Sequence, residues 1–171
     1  MELEKVILGT GSYFNVRSGN TVSIAGDGGR AWGYTGPYFN KIAPRLDTSI
    51  PYSRKYHQLL ELRESASNYK EYLDFKEKIE NDYIESYYES KLRYLDVEEF
   101  LFTLYKLYGN DIILLCKEHP IDFCHRRLLA DYIELKTGIY IPEVSVSNDG
   151  TIKKLEQIRY KNRLQKLDKT I

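Results

Sequence analysis

Between Ile112 and Leu129 the chain reads Ile-Ile-Leu-Leu-Cys-Lys-Glu-His-Pro-Ile-Asp-Phe-Cys-His-Arg-Arg-Leu-Leu, and no other stretch constrains the fold as strongly. A continuous apolar run ending at Cys116 suits a strand buried on both faces. A polar loop with Pro120 and Asp122 follows. Cys124, His125, Arg126 and Arg127 then open an amphipathic helix through Leu128, Leu129, Tyr132, Ile133 and Leu135, which Gly138 ends. A buried strand that turns into a helix implies an α/β layer. It also brings a strand's carboxyl end, where open α/β sheets bind ligands, beside a helix amino terminus that attracts anions.

The remaining elements fit the same class. Val6-Ile7-Leu8 predicts a first strand, closed by the small-residue run Gly9-Thr10-Gly11-Ser12. Thr21 to Ala25 predicts a second strand, rich in β-branched residues. The glycines from Gly26 to Gly36 exclude regular structure and permit close backbone approach. Pro37 predicts a short helical turn that stops near Pro44. From Ser53 to Tyr108 the pattern is helical, with Asp96 as an N-cap, Glu99 three residues later and Gly109 at the stop. Ile139-Tyr140-Ile141 with Val144 and Val146 predicts a last strand, at an edge because Pro142 interrupts it. The sum is a small, mostly parallel Rossmann-like sheet with flanking helices. It forms one α/β domain over residues 1–150, with a helical insertion at about 53–108. Residues 151–171 hold seven basic and two acidic side chains and form a basic terminal helix or tail.

Composition narrows the function classes. With 171 residues and 42% hydrophobic content, the chain can bury a core. Its 25 basic and 25 acidic side chains cancel, so bulk charge draws it to no particular polymer. Two cysteines are too few for a secreted disulfide framework. The charged Met-Glu-Leu-Glu-Lys start does not resemble a signal peptide, and no apolar run approaches the ~20 residues that cross a bilayer. A cytoplasmic protein without membrane contact is expected. Tyrosine is abundant, at 16 residues, most between Tyr52 and Tyr108, where such rings suit half-buried faces and an oligomer interface.

The strand–loop–helix carries the candidate chemistry. Arginine in a first helical turn opposes the dipole, so Arg126 is either an anion ligand or the partner of Asp122 or Glu118. Arg127 reads as a neighbour that steers phosphate or faces solvent. Cys124 beside His125 at a helix start is either a nucleophile with a lowered pKa or a small buried hydrophobe. His125 can serve as a base, and Glu118 and Asp122 as acid–base carboxylates or arginine partners. Cys116, Cys124, His125 and nearby His119 raise a zinc reading. The spacing differs from a paired-cysteine knuckle, however, and adjacent Cys-His residues chelate poorly together, so neither metal nor cofactor is expected. Thr10, Ser12 and Tyr13 follow the first strand and are natural contributors to a ligand site. Asp27, Arg30 and Trp32 belong to the glycine-rich segment, which matches no dinucleotide or triphosphate fingerprint. It reads equally as part of the site, with Trp32 and Tyr34 stacking on a base, or as a surface loop.

Three segments together resemble the bacterial and phage family known as domain of unknown function 488. Thr10 to Asn15 is similar to the family's Thr-Ser-Tyr-Phe-Ala. Val22-Ser23-Ile24, with Tyr38 and later Ala43-Pro44, is similar to its Val-Ser-Ile and Tyr-x-x-Leu-Ala-Pro. Cys116-Lys117-Glu118 and Phe123-Cys124-His125-Arg126 resemble its Cys-x-Glu and Phe-Cys-His-Arg. Asn81-Asp82-Tyr83 resembles a further segment. The resemblance runs from about Ile7 to Val144 and implies a compact α/β domain in which these segments converge. It supplies no reaction. Gly11 and the Gly26-Asp27-Gly28-Gly29-Arg30 loop depart from the family pattern and imply a specialised pocket.

The expected function is binding of a nucleotide or nucleotide-derived small molecule. Arg126 and the first N–H groups of the Cys124 helix would hold phosphate. In a catalytic version, Glu118, His125 or Cys124 would drive cleavage or transfer at a glycosidic or phosphate bond. In a non-catalytic version, the protein would sequester a nucleotide signal as a counter-defence protein does. The alternative is a nucleic-acid-associated module that uses the basic tail (Lys153, Lys154, Arg159, Lys161, Arg163) and the tyrosine-rich helices.

Overall fold

A computed structural model describes residues 1–64, 69–120 and 122–169. The chain divides into two compact units, one formed by residues 1–43 with 94–171 and the other by residues 44–93.

The first unit is built on three parallel strands, β1 (Ile7–Ser12), β2 (Asn20–Ser23) and β3 (Ile112–Cys116), in the order β1-β3-β2. β3 lies at the centre and all five of its side chains are buried, as its unbroken apolar sequence requires. Register pairs Thr10 with Leu114, Ser12 with Cys116 and Ser23 with Leu115, so the three strands end together. This is a mixed α/β fold of small Rossmann-like type.

Alternation along β3 divides the core between two faces. Ile113 and Leu115 pack with Val16, Val144 and Val146. Ile112, Leu114 and Cys116 take the other face. Helix α4 (His125–Thr137) packs on β1 and β3, and every residue from His125 to Ile133 is buried. It ends at Gly138, whose φ of 77° is the left-handed C-cap that glycine adopts at least cost. Helix α3 (Val97–Tyr108) begins where Asp96 accepts a hydrogen bond from the Glu99 N–H.

The second unit contains α1 (Leu46–Glu64) and α2 (Tyr69–Ser90), which pack on each other. Tyr52 meets Tyr83 edge-on, and the Thr48 and Ser86 hydroxyls share a hydrogen bond. α1 starts seven residues before Ser53 and carries Pro51 within it. The missing N–H there removes one intrahelical bond early in the helix, and the helix continues.

Several local expectations change. Gly9 to Ser12 do not end the first strand but continue it, paired with Ile113 to Cys116, because their small side chains fit the close neighbours of that strand. Ile139 to Ile141 form no strand; the last strands are β4 (Val144–Val146) and β5 (Ile152–Lys154), an antiparallel pair. The segment before β4 still runs beside β1, where the Thr10 N–H donates to the Pro142 carbonyl and Thr10 bridges Glu143 in parallel sense. Gly9 makes this approach possible, because a Cβ there would lie 2.8 Å from the Pro142 carbonyl, and Gly11 likewise clears the Val144 carbonyl, 3.1 Å from where its Cβ would be. Pro37 starts no helical turn. Its carbonyl accepts from the Ser23 N–H in an extended bridge, and the turn comes later, at Asn40–Ile42. The tail supplies β5 and a short helix, α5 (Lys161–Asp168), docked on α4 with Leu164 buried.

Candidate functional site

The carboxyl ends of β1, β2 and β3 meet the amino end of α4, and four side chains converge there. Cys116 ends β3, and its Sγ donates to Glu118 Oε2 at 3.2 Å. The loop folds back so that Cys124, the N-cap residue of α4, and His125 face Cys116. His125 Nδ1 lies 3.7 Å from Cys116 Sγ and 3.9 Å from Cys124 Sγ. The opposite ring nitrogen, Nε2, is 3.0 Å from the Ile24 carbonyl, which can only accept. Nε2 therefore carries a proton, and Nδ1 faces the two sulfurs. Cys116, Cys124 and His125 are buried, whereas the Glu118 side chain keeps 27% of its surface open.

Burial sets the electrostatics of this cluster. It raises the Glu118 carboxyl to about 7, assisted by Cys124 and opposed by His125. It raises the Cys124 thiol to about 12, with Cys116 adding to the shift and Arg126 opposing it. Position at a helix start does not lower this thiol, because the cost of burying a thiolate exceeds the help from the helix dipole.

Two further layers frame the cluster. Tyr13 donates its N–H to the Cys116 carbonyl, shares a 2.6 Å hydrogen bond with the Ser23 hydroxyl, and stacks on Tyr34. Gly29 abuts Tyr13 with φ 82°, and a Cβ there would be 2.6 Å from the Tyr13 hydroxyl. Ser12 is buried and bridges the loops after β1 and β3, accepting from the Phe14 N–H and donating to the Lys117 carbonyl. Above them an aromatic group faces solvent. Phe14 stacks on His119 and meets Trp32 edge-on, with Phe14 41% and Trp32 51% exposed.

Arg126 and Arg127 belong to a buried ion network beside this site. The Arg126 side chain is 0% exposed; its Nε and Nη2 donate to the two oxygens of Glu143, also 0% exposed, at 3.1 and 2.7 Å. Arg126 Nη2 also reaches the His119 carbonyl. Nη1 is buried without a hydrogen-bond partner, 4.0 Å from Glu118 Oε2. The Thr10 hydroxyl donates to Glu143 at 2.6 Å and accepts from Arg127 Nη1 at 2.8 Å, so one threonine links the two arginines. Arg127 also reaches the Ile141 carbonyl and Asp131, and Asp131 in turn takes the Arg159 guanidinium and the Tyr160 N–H.

Of the residues expected from sequence, Cys116, Glu118, Cys124 and His125 form the cluster, with Ser12 and Tyr13 beside it and Trp32 at the rim. Thr10, Arg126 and Arg127 lie in the ion network. Asp27 accepts from the Gly29 and Ala31 N–H groups and shapes its own loop. Arg30 donates to the Tyr34 and Gly36 carbonyls and covers Tyr38. Asp122 is exposed, with its N–H donating to the His119 carbonyl. Glu143 and Asp131 were not singled out from sequence, and Phe14 and Ser23 entered only within the family-like segments. Asp131 is foreshadowed by its i,i+4 spacing from Arg127, and Glu143 by a lone acid between Pro142 and the apolar Val144.

The fold and site define a parallel α/β domain with a Cys-x-Glu strand end facing a Cys-His-Arg helix start. The chain belongs to the family described as Domain of unknown function DUF488, whose model matches residues 36–133. That span contains α3, β3, the whole cysteine–histidine–glutamate cluster and most of α4; β1, β2 and Glu143 lie outside it. Comparison with curated proteins and with solved structures returned no match. Among the described residues no helix is long and apolar enough to cross a membrane.

Proposed function

We propose that this chain binds a nucleotide-derived small molecule over the carboxyl ends of its three parallel strands. One observation carries the reading: at the strand ends, two buried thiols, a buried imidazole and a partly open carboxylate accompany an exposed aromatic group of Phe14, Trp32 and His119. Planar rings held beside the strand ends suit a nucleobase, whose faces stack on any aromatic surface. The start of α4 lacks a side-chain cap, so its first N–H groups suit a phosphate. In this reading Arg126 acts through Glu118 and the loop, since Glu143 holds the Nε–Nη2 edge of its guanidinium. Cys116, Cys124, His125 and Glu118 face the bond to be cleaved or transferred if the ligand is turned over. Without turnover, the same surface sequesters the ligand.

The test is thermal unfolding of wild type, Trp32→Ala and Phe14→Ala against mononucleotides, cyclic nucleotides, dinucleotides and ADP-ribose derivatives. These exposed rings are better probes than Arg126, whose loss would break a buried ion pair. A ligand at ~100 times its Kd adds about 2.7 kcal/mol to the folded state. The expected result is a rise in wild type that both variants lose, with product analysis separating turnover from sequestration. No rise with any ligand, together with salt-sensitive retention on DNA or RNA, would replace this reading with the nucleic-acid module.

A further inference from the structure

The geometry points to a divalent transition-metal site, of the zinc class, formed by Cys116 Sγ, Cys124 Sγ and His125 Nδ1 with Glu118 as the fourth donor.

The three buried donor atoms lie within 4.8 Å of one another. Tetrahedral zinc, with Zn–S ≈ 2.3 Å and Zn–N ≈ 2.0–2.1 Å, sets its sulfur and nitrogen ligands about 3.6 Å apart. The two sulfur-to-Nδ1 distances here are 3.7 and 3.9 Å, so two edges of that tetrahedron are already in place. Glu118 Oε2 lies 3.2 Å from Cys116 Sγ, beside the three-donor group, and its partly open side chain takes the fourth position by a small adjustment.

The spacing Cys-x7-Cys-His differs from a zinc knuckle because its ligands come from different elements. Cys116 ends a strand, Cys124 caps a helix, and the loop between them folds back. Adjacency of Cys124 and His125 is no obstacle, since the extended N-cap backbone (φ −154°, ψ 145°) lets both face Cys116.

The outer contacts match as well. Metal-bound histidine usually donates its second nitrogen to a carbonyl or carboxylate, which fixes its tautomer and orientation. His125 does this through Nε2 to the Ile24 carbonyl. Binding converts both thiols to thiolates and releases their protons to solvent. The metal, two thiolates and the Glu118 carboxylate then carry one net negative charge. Arg126 Nη1, buried without a hydrogen-bond partner, lies 4.0 Å from that carboxylate and supplies the balancing field.

Two thiolates and an imidazole favour zinc or ferrous iron over magnesium or calcium. Three ligands are buried, and the fourth is a partly open carboxylate that water or a ligand oxygen can displace. That is the pattern of a reactive centre rather than a closed structural one. The inference stands apart from the nucleotide reading, since metal uptake is measured with no nucleotide present.

The experiment takes the full chain, reduced and chelator-treated, and titrates it with Co2+ and then Zn2+. The expected result is one equivalent of cobalt with a near-ultraviolet sulfur-to-cobalt band and intense visible bands of tetrahedral coordination, both bleached by stoichiometric zinc. Cys116→Ser and Cys124→Ser should each weaken retention more than about tenfold, the scale on which even outer contacts act. Because buried variants can misfold, the wild-type titration decides alone. Failure of reduced wild type to take up metal overturns the site, including where the protein is isolated with a Cys116–Cys124 disulfide. Uptake without the sulfur band also overturns it, since the donors would then lie elsewhere.

Discussion

Glu143→Leu provides the sharpest test of how the site is held. Glu143 accepts from Arg126 Nε, Arg126 Nη2 and the Thr10 hydroxyl, and both charged partners are fully buried. Leucine in its place leaves the Arg126 guanidinium inside the core with the His119 carbonyl and the more distant Glu118 as its remaining contacts. Removing one partner of a buried pair costs about 3–5 kcal/mol, because the survivor keeps its desolvation penalty without the attraction. Folded domains are stable by roughly 5–15 kcal/mol, so the variant should sit near the edge of folding. At about 2–4 °C per kcal/mol for this chain length, Tm should fall by roughly 6–20 °C. The double variant Arg126→Met/Glu143→Leu removes both charges and fills the space with apolar atoms, so it should recover most of the loss. Urea unfolding of the two single variants and the double variant measures the coupling directly. A Glu143→Leu protein within about 1 kcal/mol of wild type, or a double variant no better than the single, would show that the pair does not hold this core.

Thr10→Val should cost about 1–2 kcal/mol in the same assay, since it removes one bond to Glu143 and one from Arg127 while keeping the side-chain shape. Asp96→Ala should cost about 1 kcal/mol through loss of the α3 cap, with Asp96→Ser restoring much of it. The Gly29 and Ala31 N–H groups hold the Asp27 carboxyl below its ordinary value. The folded chain thus binds this proton more weakly than the unfolded chain. Its contribution is present above the unfolded value of about 3.9 and fades as pH falls through the lower folded value. The stability gap between wild type and Asp27→Asn should therefore narrow on acidification, and a gap that widens instead contradicts the sign.

What the sequence disclosed, and what it hid, follows from the range of each interaction. β3 and α4 were legible because an unbroken apolar run and a 3.6-residue period are local signals, and the Asp96 cap spans three positions. The Ile139-Tyr140-Ile141 triplet misled because apolar content alone does not fix pairing: Ile141 is buried, Tyr140 is 46% exposed, and Thr10 bridges Glu143 instead. Arg126 read as a charge awaiting an anion. Its partner stands 17 positions later, across a helix and a turn, and nothing local to the helix announces it. The closeness of the Cys116 and Cys124 sulfurs to one imidazole is likewise invisible in spacing. A loop that returns on itself sets it.

The register that pairs Ile7 with Ile112 has a consequence for how this molecule comes into being. β1 and β2 emerge early in synthesis, yet each hydrogen-bonds to β3, and the two never pair with each other in the sheet. They must wait, unpaired and partly apolar, until the central strand arrives. The α1–α2 unit, whose contacts are nearer in sequence, needs no such delay. Long-range parallel pairing is slow because chain closure must precede any gain from contact. The corner at Cys116 thus cannot form until β3 and the start of α4 have been made, and the interval before then leaves the unpaired strands exposed to misassociation.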